Sequence, residues 1–340
     1  MNIHQWKGNI KRFNKEFGKN TEIRDQWKKH CAENMPRFKK ENSLWQLEDK
    51  YLGTKEKAMV LVGAGPSLKD NIENLKDLDD NFCIVCANSS LKYLLRNGIV
   101  PTFCIALDSD DIDIPQHLDV DTDQVTLIAS SSVAPVALDA WNGPIYYLPY
   151  YSVGKKLGIK MRRRLGRGVP GGGNSMTQAF VIVTILFGSR TVIFVGNEYC
   201  FDSKKKYYAD QTLFKQETLR RLFPSTDVLG RERWTTPGHY NYVIWQEKAC
   251  SDLSPPGFFI DTSFGLLGRD CDQIHIHTMS DAIKMVKTAF KQRDMVNAAK
   301  GEKERIKIIK EILPDEPIKS DVYRYDVFEQ RESMLRLART

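Results

Sequence analysis

Six short β-branched runs separated by helical patterns constrain this chain more than any other feature: AMVLVG, FCIVCA, TFCIALD, VTLIAS, PIYYLP and RTVIFVG. Each is too short for a buried helix and too uniformly apolar for a strand with one wet face. Stretches such as SLKYLLRNG and SMTQAFVIVTILFG carry helical spacing between them. Strands of this kind, interleaved with helices, predict an α/β fold: a mostly parallel, Rossmann-like sheet with helices on both faces. Residues 1–57 are polar and basic without a strand signal and predict a helical N-terminal extension. The nucleotide-binding α/β domain is expected over 58–280, and charged helical periodicity over 281–340 predicts a helical C-terminal extension.

In an open parallel sheet the ligand lies at the carboxyl ends of the strands, so the strand ends are the candidates. The first run stops at Gly63 and Gly65 and continues through Pro66 and Ser67 into a helix, with Asp70 at capping-box spacing from Ser67. The free N–H groups of that helix start suit a phosphate. The third glycine of the dinucleotide fingerprint is replaced by Leu68, and the second strand ends in Asn88 rather than an acid, which disfavours NAD and FAD. TFCIALD leads into Asp108 and Asp110, a D-x-D suited to a divalent cation such as Mg. Gly171, Gly172, Gly173, Asn174 and Ser175 precede an apolar helix, with Arg164 and Arg167 upstream, as a second anion-binding start. The last run leaves at Gly196 and presents Asn197, Glu198, Tyr199 and Asp202.

VGAGPSL, the Asn88 strand end, GIVPTFCIALD, GGGNSMTQAFVIVTILFGSRTVIFVGNEYCFD and FIDTSFGLLG occur in an order that resembles the MptE-like domain family. That family includes archaeal 6-hydroxymethylpterin diphosphokinases and the Maf glycosyltransferases of flagellin, and its glycine loop is similar to that of bacterial CMP-sialic acid sialyltransferases. The resemblance implies a nucleotide held by Gly63, Gly65, Pro66, Ser67 and Asn88, with Asp108 at the pocket floor and Gly172, Gly173, Asn174, Ser175 and Asn197 near it. It further implies a late histidine as general base, for which His239 is the candidate, a tyrosine on the phosphate, Tyr207 or Tyr208, and a catalytic part for Asp108 and Glu198. Where the sialyltransferase loop has asparagine and the later strand end usually has Asp, this chain has Ala64 and Glu198.

The expected activity is transfer of a sugar from a nucleotide-activated donor, CMP-nonulosonate in type, to an acceptor hydroxyl on a glycan, protein or modified nucleic acid. The alternative is transfer of diphosphate from ATP to a pterin-like alcohol, with Mg at Asp108 and Asp110, and the third reading is a non-catalytic nucleotide or nucleic-acid binding module. A net charge of +7, concentrated near the N-terminus and in GKKLGIKMRRRLGRG, suits anionic partners. No apolar stretch reaches the ~18 residues of a membrane span, the first residues lack a signal-peptide core, and seven scattered cysteines fit reduced thiols, so a cytoplasmic location is expected. Cys83 and Cys86 fall on opposite faces of one strand, which favours structural thiols over a metal or redox pair. His275 and His277 have no third zinc ligand nearby. The helical ends leave room for self-association.

Overall fold

The computed structural model describes residues 21–51, 57–107, 120–149, 155–202, 209, 222–253, 256–299 and 301–312. Among the described residues the first elements are two helices, α1 (Thr21–Asn34) and α2 (Trp45–Tyr51), joined by 3-10 turns at Met35–Arg37 and Lys40–Asn42. The sheet domain then runs β1 (Ala58–Val62), α3 (Leu68–Lys76), β2 (Phe82–Ala87), α4 (Asn88–Arg96), β3 (Phe103–Ala106), β4 (Thr126–Ser130), α5 (Pro135–Asp139) and β5 (Ile145–Leu148). After these follow α6 (Lys155–Leu165), α7 (Ser175–Val181) with a π-helical turn at Ile182–Leu186, β6 (Thr191–Val195), β7 (Phe223–Thr226), β8 (Glu232–Thr235) and α8 (Pro237–Ser251). β9 (Phe258–Asp261), β10 (Ile274–Ile276), α9 (Met279–Ala298) and α10 (Glu302–Ile312) complete the order.

Eight strands form one sheet in the order β10-β9-β6-β1-β2-β3-β4-β5, and every neighbouring pair is parallel. The expected parallel α/β architecture is therefore present, with β9 and β10 as two strands beyond the six runs. β7 and β8 form a separate antiparallel hairpin. Side chains alternate along each strand between two cores, one per face of the sheet. Val60, Val62, Cys86 and Cys104 join Leu68, Leu91 and Val286 on one face, while Met59, Leu61, Cys83 and Phe103 join Phe180, Val183 and Phe259 on the other. Cys83 and Cys86 thus point to opposite faces, and all seven cysteines are free and buried.

Residues of the N-terminal region contribute to these cores. Phe38 packs edge-on against Tyr147, Leu44 and Leu47 are buried, and the Leu44 N–H donates to the Tyr147 carbonyl beside the edge strand β5. Asn34 Nδ2 donates to the carbonyls of Ser131 and Val133. At the other end of the chain, Met279, Ala282, Ile283, Val286 and Phe290 bury one side of α9 against α3 and β6. No described helix is long and apolar enough to cross a membrane.

Candidate functional site

The strand order reverses direction between β1 and β6: the chain builds outward from β1 through β5 on one side, and from β6 to β9 and β10 on the other. A crevice opens at the carboxyl edge of such a switch point. β1 ends there in Gly63 and Gly65, β6 in Gly196, Asn197 and Glu198, and β9 in Asp261.

The glycines in this crevice make room for one another. A Cβ on Gly63 would stand 2.3 Å from the Gly196 carbonyl oxygen, one on Gly65 would stand 1.7 Å from Glu198 Oε2, and one on Gly265 would stand 2.3 Å from Glu198 Cα. Gly196 has φ +66°, which only glycine adopts freely. The Gly63 N–H donates to Val195 and the Gly65 N–H to Gly196, so the two turns are laced together. Across them, the Ala209 N–H donates to the Ala64 carbonyl.

The start of α3 carries a protein carboxylate. The Ser67 N–H donates to Glu198 Oε1 in a short hydrogen bond. The expected Ser67–Asp70 capping box does not form: the Ser67 side chain makes no capping bond, because Glu198 supplies the oxygen that the exposed N–H needs. A second correction concerns the arginines upstream of the glycine run. Arg164 donates to the Met35 carbonyl and Arg167 lies 4.7 Å over the Trp45 ring, so both anchor α6 to the N-terminal turns.

Glu198 and Asp261 are two buried carboxyl groups facing one locality. Asp261 Oδ2 accepts from the N–H groups of Ser263 and Phe264. Burial pushes Glu198 up to about 7, against the pull of the Ser67 N–H and of the Ser67 hydroxyl, which sits beside it short of hydrogen-bond geometry. Asp261 is pushed up to about 8, first by burial and further by the neighbouring Glu198 charge, with the Ser263 contact opposing. Around the pair, Ser67 Oγ, Asn197 Oδ1, Glu198 Oε2, Tyr199 OH and Asp261 Oδ1 are buried with no hydrogen bond. Tyr199 and Phe264 hold left-handed backbone, φ +54° and +52°, which is strained for side chains of this size. Burial raises the Tyr199 phenol, while the Asn174 amide nearby lowers it.

Asn174 caps α7: its Oδ1 accepts from the Thr177 N–H at 2.8 Å and Thr177 Oγ1 accepts from the Asn174 N–H at 3.2 Å. Gly172 lies against the Trp245 ring, where a Cβ would come to 2.5 Å, and Gly173 takes φ +104°. Ser175 is the first residue of α7, and Asn88 is the buried first residue of α4, one strand over from the switch. Asn197 Nδ2 donates to the carbonyls of Leu61 and Val195, tying the two strands, and leaves its Oδ1 in the cluster. Pro66 lies half-exposed in the β1–α3 turn.

His239 occupies the first turn of α8, near the cluster: Thr235 Oγ1 just before that helix donates to the Tyr199 carbonyl. Its ring lies 6.0 Å from Phe201 and 6.3 Å from Tyr242, and burial lowers it to about 4, so it is neutral at pH 7. Asp108, Asp110, Tyr207 and Tyr208 lie outside the described residues. Among the described residues no group of three or more His, Cys, Asp or Glu is placed to hold a metal, and the His275 ring lies 5.4 Å from that of Phe258, tilted by 42°.

Sequence reasoning did not single out Asp261. It ends the four-residue strand Phe258–Asp261, and its place beside Glu198, distant in sequence, comes only from the β6–β9 pairing. The FIDTSFG stretch was the available signal.

A solved structure described as "Structure of MAf glycosyltransferase from Magnetospirillum magneticum AMB-1" superposes with a TM-score of 0.50 at 13% identity. The match covers 87% of this chain and 54% of that one, so this chain spans about half the length of that protein. The likeness is one of fold. Comparison with curated proteins gave no match. The sequence profile described as "6-hydroxymethylpterin diphosphokinase MptE-like" matches residues 29–204, just over half of the chain and including both strands of the switch, and on that match the chain belongs to the MptE-like family.

Proposed function

We propose that the chain is a glycosyltransferase that moves a sugar from a nucleotide-activated donor, of CMP-nonulosonate type, to an acceptor hydroxyl. One observation carries this reading: the unsatisfied polar atoms buried at the switch point. Asn197 Oδ1 only accepts, whereas Ser67 Oγ, Tyr199 OH and the raised carboxyls of Glu198 and Asp261 can donate or accept according to where their protons sit. Hydroxyl groups, which both donate and accept, match such a cluster, and it presents no cation to a bare phosphate. Ribose or glycosyl hydroxyls fit it. In this reading the donor's phosphate falls to groups outside the cluster, with Gly172, Gly173, Ser175 and Tyr207 as candidates.

The acceptor oxygen attacks the anomeric carbon, the bond from that carbon to the phosphate oxygen breaks, and the nucleoside monophosphate leaves with the bonding pair. The acceptor's proton must go to a base. Glu198, raised to about 7, matches neutral operation better than His239, lowered to about 4, because a base this weak takes a proton poorly. We assign the proton to Glu198 Oε2. The experiment is a panel of CMP-sugars, UDP-sugars and ATP, with release of CMP, UDP or AMP as readout. Glu198→Gln is expected to cost roughly 100-fold or more in kcat and to remove the pH-rate limb near 7. A variant that keeps that limb rules out Glu198 as the base.

The family description favours a second reading, transfer of diphosphate from ATP to a hydroxymethylpterin. AMP released only when that alcohol is present would establish it over the first. Mg then belongs at Asp108 and Asp110. Silence with every donor would remove both.

A further inference from the structure

We propose that the exposed side of α6 and the adjoining 3-10 turn form a docking surface for duplex nucleic acid, through its phosphate backbone. This rests on charge placement and stands apart from the chemistry at the switch point. α6 reads KKLGIKMRRRL, with six basic residues in eleven and no acid. Met161 and Leu165 are buried, whereas Lys156, Lys160, Arg162 and Arg163 are exposed. The helix packs on the turn Lys40–Asn42, and Ser43 Oγ donates to the Leu165 carbonyl, which brings exposed Lys39 and Lys40 to the same side of the molecule.

Several other surface helices pair a lysine with an acid on or next to the same helix. α1 pairs Lys29 with Glu33, α8 pairs Lys248 with Asp252, α9 pairs Lys284 with Asp281 and α10 pairs Lys307 with Glu311. None of Lys156, Lys160, Arg162 and Arg163 forms an ion pair with a described residue. The helix dipole accounts for the arginines of the last turn but not for Lys156 or Lys160 farther back. Lys156 and Arg163 are seven residues apart, about 10 Å along the axis, a span of several backbone phosphates. Single strands are held by exposed aromatic rings that stack bases. Among the described residues this surface offers none: Trp45 lies under Arg167, and Ile159 is the exposed apolar side chain of α6. One isoleucine is also a poor anchor for a lipid surface, which binds through a broad apolar face.

The test measures fluorescence anisotropy of a labelled DNA duplex of about 20 base pairs with the full chain across a salt series. Parallel arms use a single-stranded RNA and vesicles containing phosphatidylserine. The variant is the charge reversal K156E/K160E/R163E, whose three sites are exposed and form no ion pair with a described residue, with circular dichroism and thermal melting to verify folding. The unchanged chain is expected to bind the duplex with an affinity that falls steeply with salt. The reversal is expected to weaken binding about 100-fold and to flatten the log–log salt slope by about 3. The proposal is overturned by absent duplex binding at low salt, by binding that the folded variant retains, or by tighter binding to the RNA or the vesicles.

Discussion

Replacing Asp261 by Asn isolates the energetics of the buried carboxyl pair. Asp261 is fully buried and raised from 3.8 to about 8. A carboxyl whose folded value is raised contributes stability that is complete below its unfolded value and lost as pH climbs through the folded one. Between pH 6.5 and 8.5 the folded chain releases the Asp261 proton that the unfolded chain has already lost. That covers about 1.5 pH units at ~1.4 kcal/mol each, or about 2 kcal/mol of lost stability. Glu198, at about 7, adds a smaller share, since most of its loss comes at lower pH. The depressed histidines His239 and His275 are silent in this window, because their cost arises only where the unfolded imidazole is protonated, below about 6.5. The buried thiols enter only above it. Asparagine can still accept from Ser263 and Phe264, so Asp261→Asn keeps the turn and removes the titration. Melting curves across the window should show the parent falling by about 4 °C and the variant staying nearly flat, with the variant the more stable at pH 8.5. A variant with the parent's slope, or one less stable at pH 8.5, refutes this account of the pair.

Three further outcomes follow from packing. Gly65→Ala places a methyl 1.7 Å from Glu198 Oε2 and 2.8 Å from the Gly196 carbonyl, and should cost about 3 kcal/mol or more in a denaturant titration. Asp227 accepts from Arg231 and Arg233 at 2.7 and 2.8 Å and from the N–H groups of Leu229 and Arg231. Asp227→Ala should therefore loosen the β7–β8 hairpin at about 2–4 kcal/mol, seen as faster amide exchange at Arg231 and Arg233. Cys83 and Cys86 point to opposite faces and burial raises the Cys83 thiol, so mild oxidant should leave the intact mass of the folded chain free of a disulfide between them.

The strands from β1 to β6 are legible in the sequence because each is a β-branched run long enough to stand out between amphipathic helices. β9 and β10 are not: FFID follows a proline pair and IHI alternates with histidine, so neither shows the continuous apolar run of a central strand. The hairpin strands FPST and ERWT are largely polar, since their side chains do not enter the main cores. The basic run of α6 is visible at once, but the absence of counter-charges to it among the described residues is not, because ion pairs join residues by space as well as by spacing. Arg164 and Arg167 show the converse. Their nearness in sequence to the glycine run suggested an anion, yet the fold turns them to Met35 and Trp45.

The glycine-lined strand ends carry the same ambiguity in sharper form. A strand that stops at Gly63 and Gly65 announces that something must come close, and a ligand backbone and a protein backbone make the same demand. Here the approaching groups are Gly196 and Glu198, more than 130 residues later in the chain, and Glu198 brings its own negative charge to the helix start where a phosphate would otherwise sit. A carboxylate there has two consequences. It satisfies the N–H of Ser67, which steadies the turn without a ligand, and it leaves Oε2 buried against Gly65 without a hydrogen bond, close enough for its charge to raise Asp261. On the proposed reading, the switch point is thereby suited to hydroxyl groups rather than to an anion. Glutamate reaches the helix start with Oε1 while Oε2 stands against Gly65. Aspartate, one methylene shorter, would reach the Ser67 N–H only by drawing the β6 turn closer to β1, where a Cβ on Gly63 would already stand 2.3 Å from the Gly196 carbonyl oxygen.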